Sequence, residues 1–354
     1  MRPLLAFFLF VLSCAHAGEL PTYQPRPGHE RPVIAIIGDS VSTEITDFML
    51  PYGVLQQAAV AQVLTVSTEG PAITMNTGLH VQPDLDLSAF DRRFPEGADY
   101  VIVPAMRRAT FAPLIAWLQA QATKGATVVS ICDGALVVAN SGLLEGRRGT
   151  AHWATHDYRQ EKYPKTTWLR DVRYVADGKV ISSAGISAAQ PVSLALVEAI
   201  AGHDKAAAIA AGLGVDDWSS RHDSGNYAPK FGRNLNVWLT HYTDQWLHGT
   251  EETGLPLAQG FDEIALAYTS DAYNRTHRSR VLTVAAAGDS TLASRHGLKV
   301  LPDRIAGAAD APVKMLPAID SSLDRVLENI AATFGSRTAH RVALEFEYPG
   351  YPVR

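Results

Sequence analysis

The stretch Val128-Val129-Ser130-Ile131-Cys132-Asp133-Gly134-Ala135-Leu136 decides how this chain is read. Residues 126–131 form a short run rich in apolar and β-branched side chains, the pattern of a buried strand. Residues 134–140 read as a helix that stops at Ser141-Gly142. Cys132 therefore falls at a strand-to-helix turn on the carboxyl edge of a sheet, where α/β proteins bind ligands. The first helical turn points N–H groups at such a side chain, which favours a thiolate and stabilises a developing oxyanion. Gly134 leaves room for close backbone approach. The competing reading is an inert cysteine buried at a strand end.

The same alternation continues on both sides. Residues 32–37, 63–66 and 100–104 read as strands upstream, and residues 180–183 as one downstream. Helical spacing covers residues 48–61, 111–123 and 192–201. Short strands alternating with helices imply right-handed crossovers and an α/β fold with a mostly parallel sheet flanked by helices.

The second half repeats the first in outline. Val63-Leu64-Thr65-Val66 with Gly70 recurs as Val281-Leu282-Thr283-Val284 with Gly288. Gly78-Leu79-His80-Val81 before Pro83-Asp84 recurs as Gly297-Leu298-Lys299-Val300 before Pro302-Asp303. Val103-Pro104-Ala105 returns as Leu316-Pro317-Ala318, and Ser193-Leu194 with Val197 as Ser322-Leu323 with Val326. The order is kept, but nothing matches residues 106–190, which include Cys132. The expected organisation is a signal peptide over 1–17, an α/β domain over 18–214, a bridge or insert over 215–259, and a truncated, degenerate second copy over 260–354. An unrelated α/β extension is the alternative for the last segment.

Arg2, an apolar run over residues 3–14 and Ala15-His16-Ala17 read as a secretory leader cleaved before Gly18. The chain is then exported, to the periplasm or beyond. The run is too short for a bilayer-spanning helix, so no stable membrane insertion is expected. Cys14 leaves with the leader and Cys132 becomes the one mature cysteine, without a disulfide partner. A net charge of −5 offers no basic footprint for nucleic acid. No metal-ligand spacing and no glycine-rich phosphate loop stand out, so no cofactor is expected.

The run from Cys132 to Gly185 resembles the nucleophile half of the DJ-1/PfpI superfamily, within the class I glutamine amidotransferase-like, flavodoxin-like fold. The likeness rests on Ile131-Cys132-Asp133-Gly134-Ala135, Ser141-Gly142-Leu143-Leu144-Glu145-Gly146, Thr150-Ala151-His152-Trp153 and Ser182-Ser183-Ala184-Gly185. It is nearest to the amidase-like domains of AraC-type regulators and to isocyanide hydratases. Upstream, Asp47-Phe48-Met49-Leu50-Pro51-Tyr52 resembles the segment that carries the family's acid. The resemblance implies Cys132 as nucleophile, Asp47 as the acid sharing a proton with it, Glu44 as the fallback acid, and His152 as base or orienter. It also implies that Ala105 and Met106, on the loop lending an oxyanion N–H, join Asp133 and Gly134 in binding substrate. Two positions depart from the family. Asp133 stands where Thr or His is common, and a carboxylate there opposes a thiolate unless it points away. Pro104-Ala105-Met106 replaces a Pro-Gly-Gly loop.

Two functions fit: a cysteine-dependent hydrolase or hydratase of a small amide, carbonyl or isocyanide-like compound, or a module that binds a small ligand or senses oxidants without turnover. Transcriptional regulation, suggested by the regulator-like resemblance, lacks a helix-turn-helix signature after residue 215. The oligomeric state stays open. If the second copy covers a face that other members bury by dimerising, the chain is a monomer.

Overall fold

The computed structural model describes residues 20–26, 29–240, 244, 246, 248–307 and 313–350. The expected leader, with Cys14, and the cleavage point before Gly18 lie outside the described residues.

The apolar run at residues 33–38 forms β1 (Val33–Gly38), buried along its whole length, as a strand covered on both faces requires. The chain continues through α1 (Ile45–Ala58), β2 (Gln62–Ser67), β3 (Ile73–Thr74), β4 (His80–Gln82), β5 (Leu85–Asp86), α2 (Leu87–Arg93) and β6 (Tyr100–Val103). Next come α3 (Ala112–Thr123), β7 (Thr127–Ser130), α4 (Gly134–Asn140), β8 (Arg148–Gly149), α5 (His156–Lys162) and β9 (Thr167–Trp168). β10 (Tyr174–Asp177), β11 (Val180–Ser183), α6 (Ala189–Ala201) and α7 (His203–Leu213) complete the first unit. Helix α1 starts three residues before the expected position, because polar Thr46 and Asp47 hide its first turn from an apolar pattern.

The main sheet has seven strands in the order β10-β11-β7-β6-β1-β2-β5. Only the β10–β11 pair is antiparallel. β2 and β6 lie on opposite sides of β1, so the order reverses there and a crevice opens at the strands' carboxyl ends. β7, beside β6, delivers Cys132 to that edge.

Beyond α8 (Leu235–Trp238) the second unit comprises β12 (Glu251–Pro256), α9 (Glu263–Arg275), β13 (Ser279–Ala285), β14 (Leu292–Ala293), β15 (Lys299–Leu301), β16 (Arg304–Ile305), β17 (Lys314–Met315), α10 (Leu323–Phe334) and α11 (Ser336–Glu345). Its parallel sheet, β16-β13-β12-β17, repeats β5-β2-β1-β6 strand for strand. Asp84 accepts from the Thr65 N–H and hydroxyl, both at 2.9 Å, and Asp303 does the same for Thr283 at 2.7 and 2.6 Å. The second unit then passes from β17 to α10 without any counterpart of residues 106–190. Its first strand begins at Glu251, inside the stretch expected to be a bridge. Glu-Glu-Thr-Gly-Leu-Pro carries a single large apolar side chain, so its strand character comes from its neighbours rather than from its own pattern.

The two units are joined by a shared sheet, β14-β15-β4-β3, in which Val81 pairs with Val300 across an antiparallel junction. α1 packs against α9 beside it. One apolar core runs from β1 and α1 through α9, β13 and α10, and a second lies on the opposite face of the main sheet.

Candidate active site around Cys132

The backbone shapes the site first. Cys132 takes φ +53°, a left-handed conformation that costs a non-glycine residue free energy and tends to mark functional turns. Ile131 N–H bonds Val103 O at 3.0 Å and Cys132 N–H bonds Ala184 O at 3.2 Å, tying the turn to the ends of β6 and β11. Gly134 is required here, because a Cβ would run into Val103 O and Pro104.

Cys132 is 7% exposed. Burial pushes its thiol well above the ordinary value, and the charges of Asp47, Asp133 and Glu44 push it further, while the Asp133 backbone N–H opposes them. The depression expected from the helix start is outweighed. A helix terminus contributes about 0.3–1 kcal/mol, less than the cost of placing a thiolate in a buried site among carboxylates.

Asp47 lies in the first turn of α1 and is fully buried. Its Oδ2 accepts the Ala105 N–H at 3.0 Å, and Oδ1 has no hydrogen-bond partner among the described residues. Burial, then the charge of Glu44, raises its carboxyl well above the usual range. Asp271 adds to this, and the Ala105 N–H and Arg275 oppose it. Asp47 therefore holds its proton more readily than an exposed carboxyl does. Glu44 is engaged elsewhere: Oε1 meets Arg275 Nη2 at 3.0 Å and Oε2 accepts from Asn76 Nδ2 at 2.7 Å.

The remaining expected residues divide. The Ala105 N–H is committed to Asp47, and its carbonyl accepts the Glu44 N–H at 2.9 Å. Met106 bridges to Thr43 and packs into the apolar core. Asp133 turns toward Thr155, whose hydroxyl donates to it at 2.6 Å, with Arg159 Nη1 3.6 Å away. His152 lies beside Gly185, one residue past the carbonyl that binds Cys132. Both its ring nitrogens are engaged: Nδ1 accepts the Ala154 N–H at 3.2 Å and Nε2 is 3.3 Å from Glu345 O.

Sequence reasoning missed Arg159, Arg275, Asp271 and Glu345. Arg275 joins Glu44, Asp271 (3.0 Å) and Glu345 (3.4 Å) from the second unit. None of these residues sits in a local motif. Arg275 and Asp271 come from α9, which packs against α1. Among the described residues no cluster of His, Cys, Asp and Glu suited to a metal ion occurs. No described helix is long and apolar enough to cross a membrane.

The isonitrile hydratase of Pseudomonas putida is 31% identical to this chain over 166 residues, 45% of this chain and 68% of the hydratase. The HTH-type transcriptional regulator CdhR of Pseudomonas aeruginosa is 32% identical over 135 residues, so this chain spans only 38% of the regulator's length. Deglycase PH1704 of Pyrococcus horikoshii is 28% identical over 144 residues, 40% of this chain and 82% of the deglycase. The crystal structure of Drosophila melanogaster DJ-1beta superposes with a TM-score of 0.47 at 22% identity, covering 53% of this chain and all of that one. The DJ-1/PfpI family model matches residues 33–199. That span runs from the start of β1 almost to the end of α6 and takes in every strand of the seven-stranded sheet, and this chain belongs to the DJ-1/PfpI family.

Proposed function

We propose that the protein is an exported cysteine-dependent hydratase or hydrolase of a small isocyanide-like, amide or carbonyl compound. Cys132 is the nucleophile and Asp47 the acid that shares its proton. The observation that carries this reading is the strained Cys132 turn within electrostatic reach of a buried carboxyl with one oxygen unpartnered among the described residues. The isonitrile hydratase relative supports the hydratase form.

Burial raises both thiol and carboxyl, which favours their protonated forms. A free thiolate is expensive there, so the proton moves as sulfur attacks. For an isocyanide, the new bond joins sulfur to the terminal carbon. Asp47 gives that carbon a proton and takes the thiol's in return, leaving a thioimidate. Water then adds to the same carbon and one of its protons goes to nitrogen. The C–S bond breaks, the remaining hydroxyl proton returns to sulfur, and a formamide leaves. Asp133, turned toward Thr155, leaves its backbone N–H to face the sulfur.

Ligand binding without turnover is the second reading, favoured by the near closure of Cys132. A panel of isocyanides, amides and reactive carbonyls decides between them. Turnover lost in Cys132→Ser and strongly reduced in Asp47→Ala supports catalysis, and an inert wild type across the panel favours binding alone. Export rests on the leader, and a mature mass beginning at Gly18 checks it.

A further inference from the structure

The loop that receives the Cys132 N–H also receives the end of the chain. Gly185 follows Ala184 there, and its N–H donates to Glu347 Oε1 at 3.1 Å. A Cβ at Gly185 would collide with both Glu347 Oε1 and His152 Cδ2, so the three residues are in mutual contact. Glu347 lies just beyond α11 and is fully buried. Oε2 takes the His222 Nε2–H at 2.5 Å and the Ser224 hydroxyl at 3.3 Å, and Oε1 is 3.8 Å from His152 Nε2. Burial pushes this carboxyl up, but the His222 hydrogen bond, the two histidines and the Trp153 N–H outweigh it, and Glu347 stays below its usual value.

Tail docking alone does not account for this arrangement. Ser187 already clasps the tail backbone, its N–H on Phe346 O at 2.9 Å and its hydroxyl on Glu347 O at 2.8 Å. Phe346 fills the apolar core beside it. A buried carboxylate is costly unless well hydrogen-bonded, and Glu347 also takes a left-handed φ, +52°, as Cys132 does. Its Oε1 faces the His152 ring. With Nδ1 accepting from Ala154, the ring proton sits on Nε2, facing Glu345 O and Glu347. Arg159 holds the His152 carbonyl at 2.6 Å from the other side.

We propose that Glu347 is a positioning residue of the Cys132 site, holding the His152 ring beside the nucleophile's loop in its Nε2–H tautomer. The functional weight of this assignment rests on the reading of Cys132 as a nucleophile, but its test does not.

Long-range proton–nitrogen NMR on the nitrogen-15-labelled full chain reads the His152 tautomer, with His152→Gln giving the assignment. The wild type is expected to show one tautomer, bare Nδ1 and protonated Nε2. Glu347→Gln is expected to lose that pattern, giving signals averaged between tautomers. Ser187→Ala, which weakens the tail's clasp and spares the carboxylate, is expected to retain it. An unchanged His152 pattern in folded Glu347→Gln overturns the proposal, as does equal loss in Ser187→Ala. Iodoacetamide labelling of the same samples reports on Cys132 separately. A wild-type thiol that never reacts counts against the nucleophile reading alone, and the His152 pattern still decides the role of Glu347.

Discussion

Arg275 Nη2 lies 3.0 Å from Glu44 Oε1, so a side chain of the second unit neutralises the acid one helical turn before Asp47. The charge of Glu44 raises both Asp47 and Cys132, and Arg275 lowers Asp47 directly. Arg275→Gln is expected to leave Glu44 unbalanced and move the alkylation profile of Cys132 to higher pH, by roughly one unit. Arg275→Lys should restore most of the shift, because it returns the charge. The check is alkylation rate against pH for all three proteins, and coincident profiles would sink the idea.

Asp47 has the opposite sign of linkage from an ordinary paired carboxylate. Its folded value lies well above that of an ordinary carboxyl, so the folded state binds the extra proton. The stability it contributes is present below the unfolded value and is lost as pH rises through the folded one. Asp47→Asn keeps the shape without an ionisable group and should be more stable than wild type near pH 7, by roughly 1 kcal/mol. Urea unfolding across pH 4–8 should show the wild type losing stability toward high pH relative to the variant. A constant difference over that range would contradict the assignment.

Gly134 should tolerate no side chain. A Cβ there meets Val103 O and Pro104, which are backbone and cannot yield by rotating. Gly134→Ala is expected to cost about 3 kcal/mol. The comparison is Gly142→Ala, whose site is open but whose φ of +80° disfavours a side chain, expected to cost about 1 kcal/mol. Equal unfolding midpoints would contradict this.

The two units should unfold together. One apolar core spans them, and β4 and β15 share a ladder. All six tryptophans precede residue 251, so fluorescence reports the first unit and bridge, whereas far-ultraviolet circular dichroism reports both. Coincident urea transitions are expected, and a separate circular dichroism phase would show an independently stable second unit.

What the sequence disclosed follows from how locally each feature is encoded. The Cys132 turn was legible because strand, cysteine and glycine are contiguous, and Gly134 answers to a steric demand from β6. The repeat was legible where turns impose glycine and aspartate, as at Asp84 and Asp303. β12 was not, because a strand flanked on both sides can carry Glu-Glu-Thr-Gly and still be held by its neighbours. Nor did sequence reveal that the Ala105 N–H serves Asp47, since a backbone donor leaves no mark on residue choice. Arg275 and Glu347 reach the site only through the folding of one unit onto the other, and no spacing records that.

The antiparallel junction of Val81 with Val300 has a consequence for how the protein survives dilution. Two separate chains meeting through such a ladder would part as their concentration fell. Here a covalent tether holds the pairing surfaces at a fixed effective concentration, so this contact between the two units does not depend on how dilute the protein is. Ala265, third in α9, stands where Asp47, third in α1, stands in the first unit.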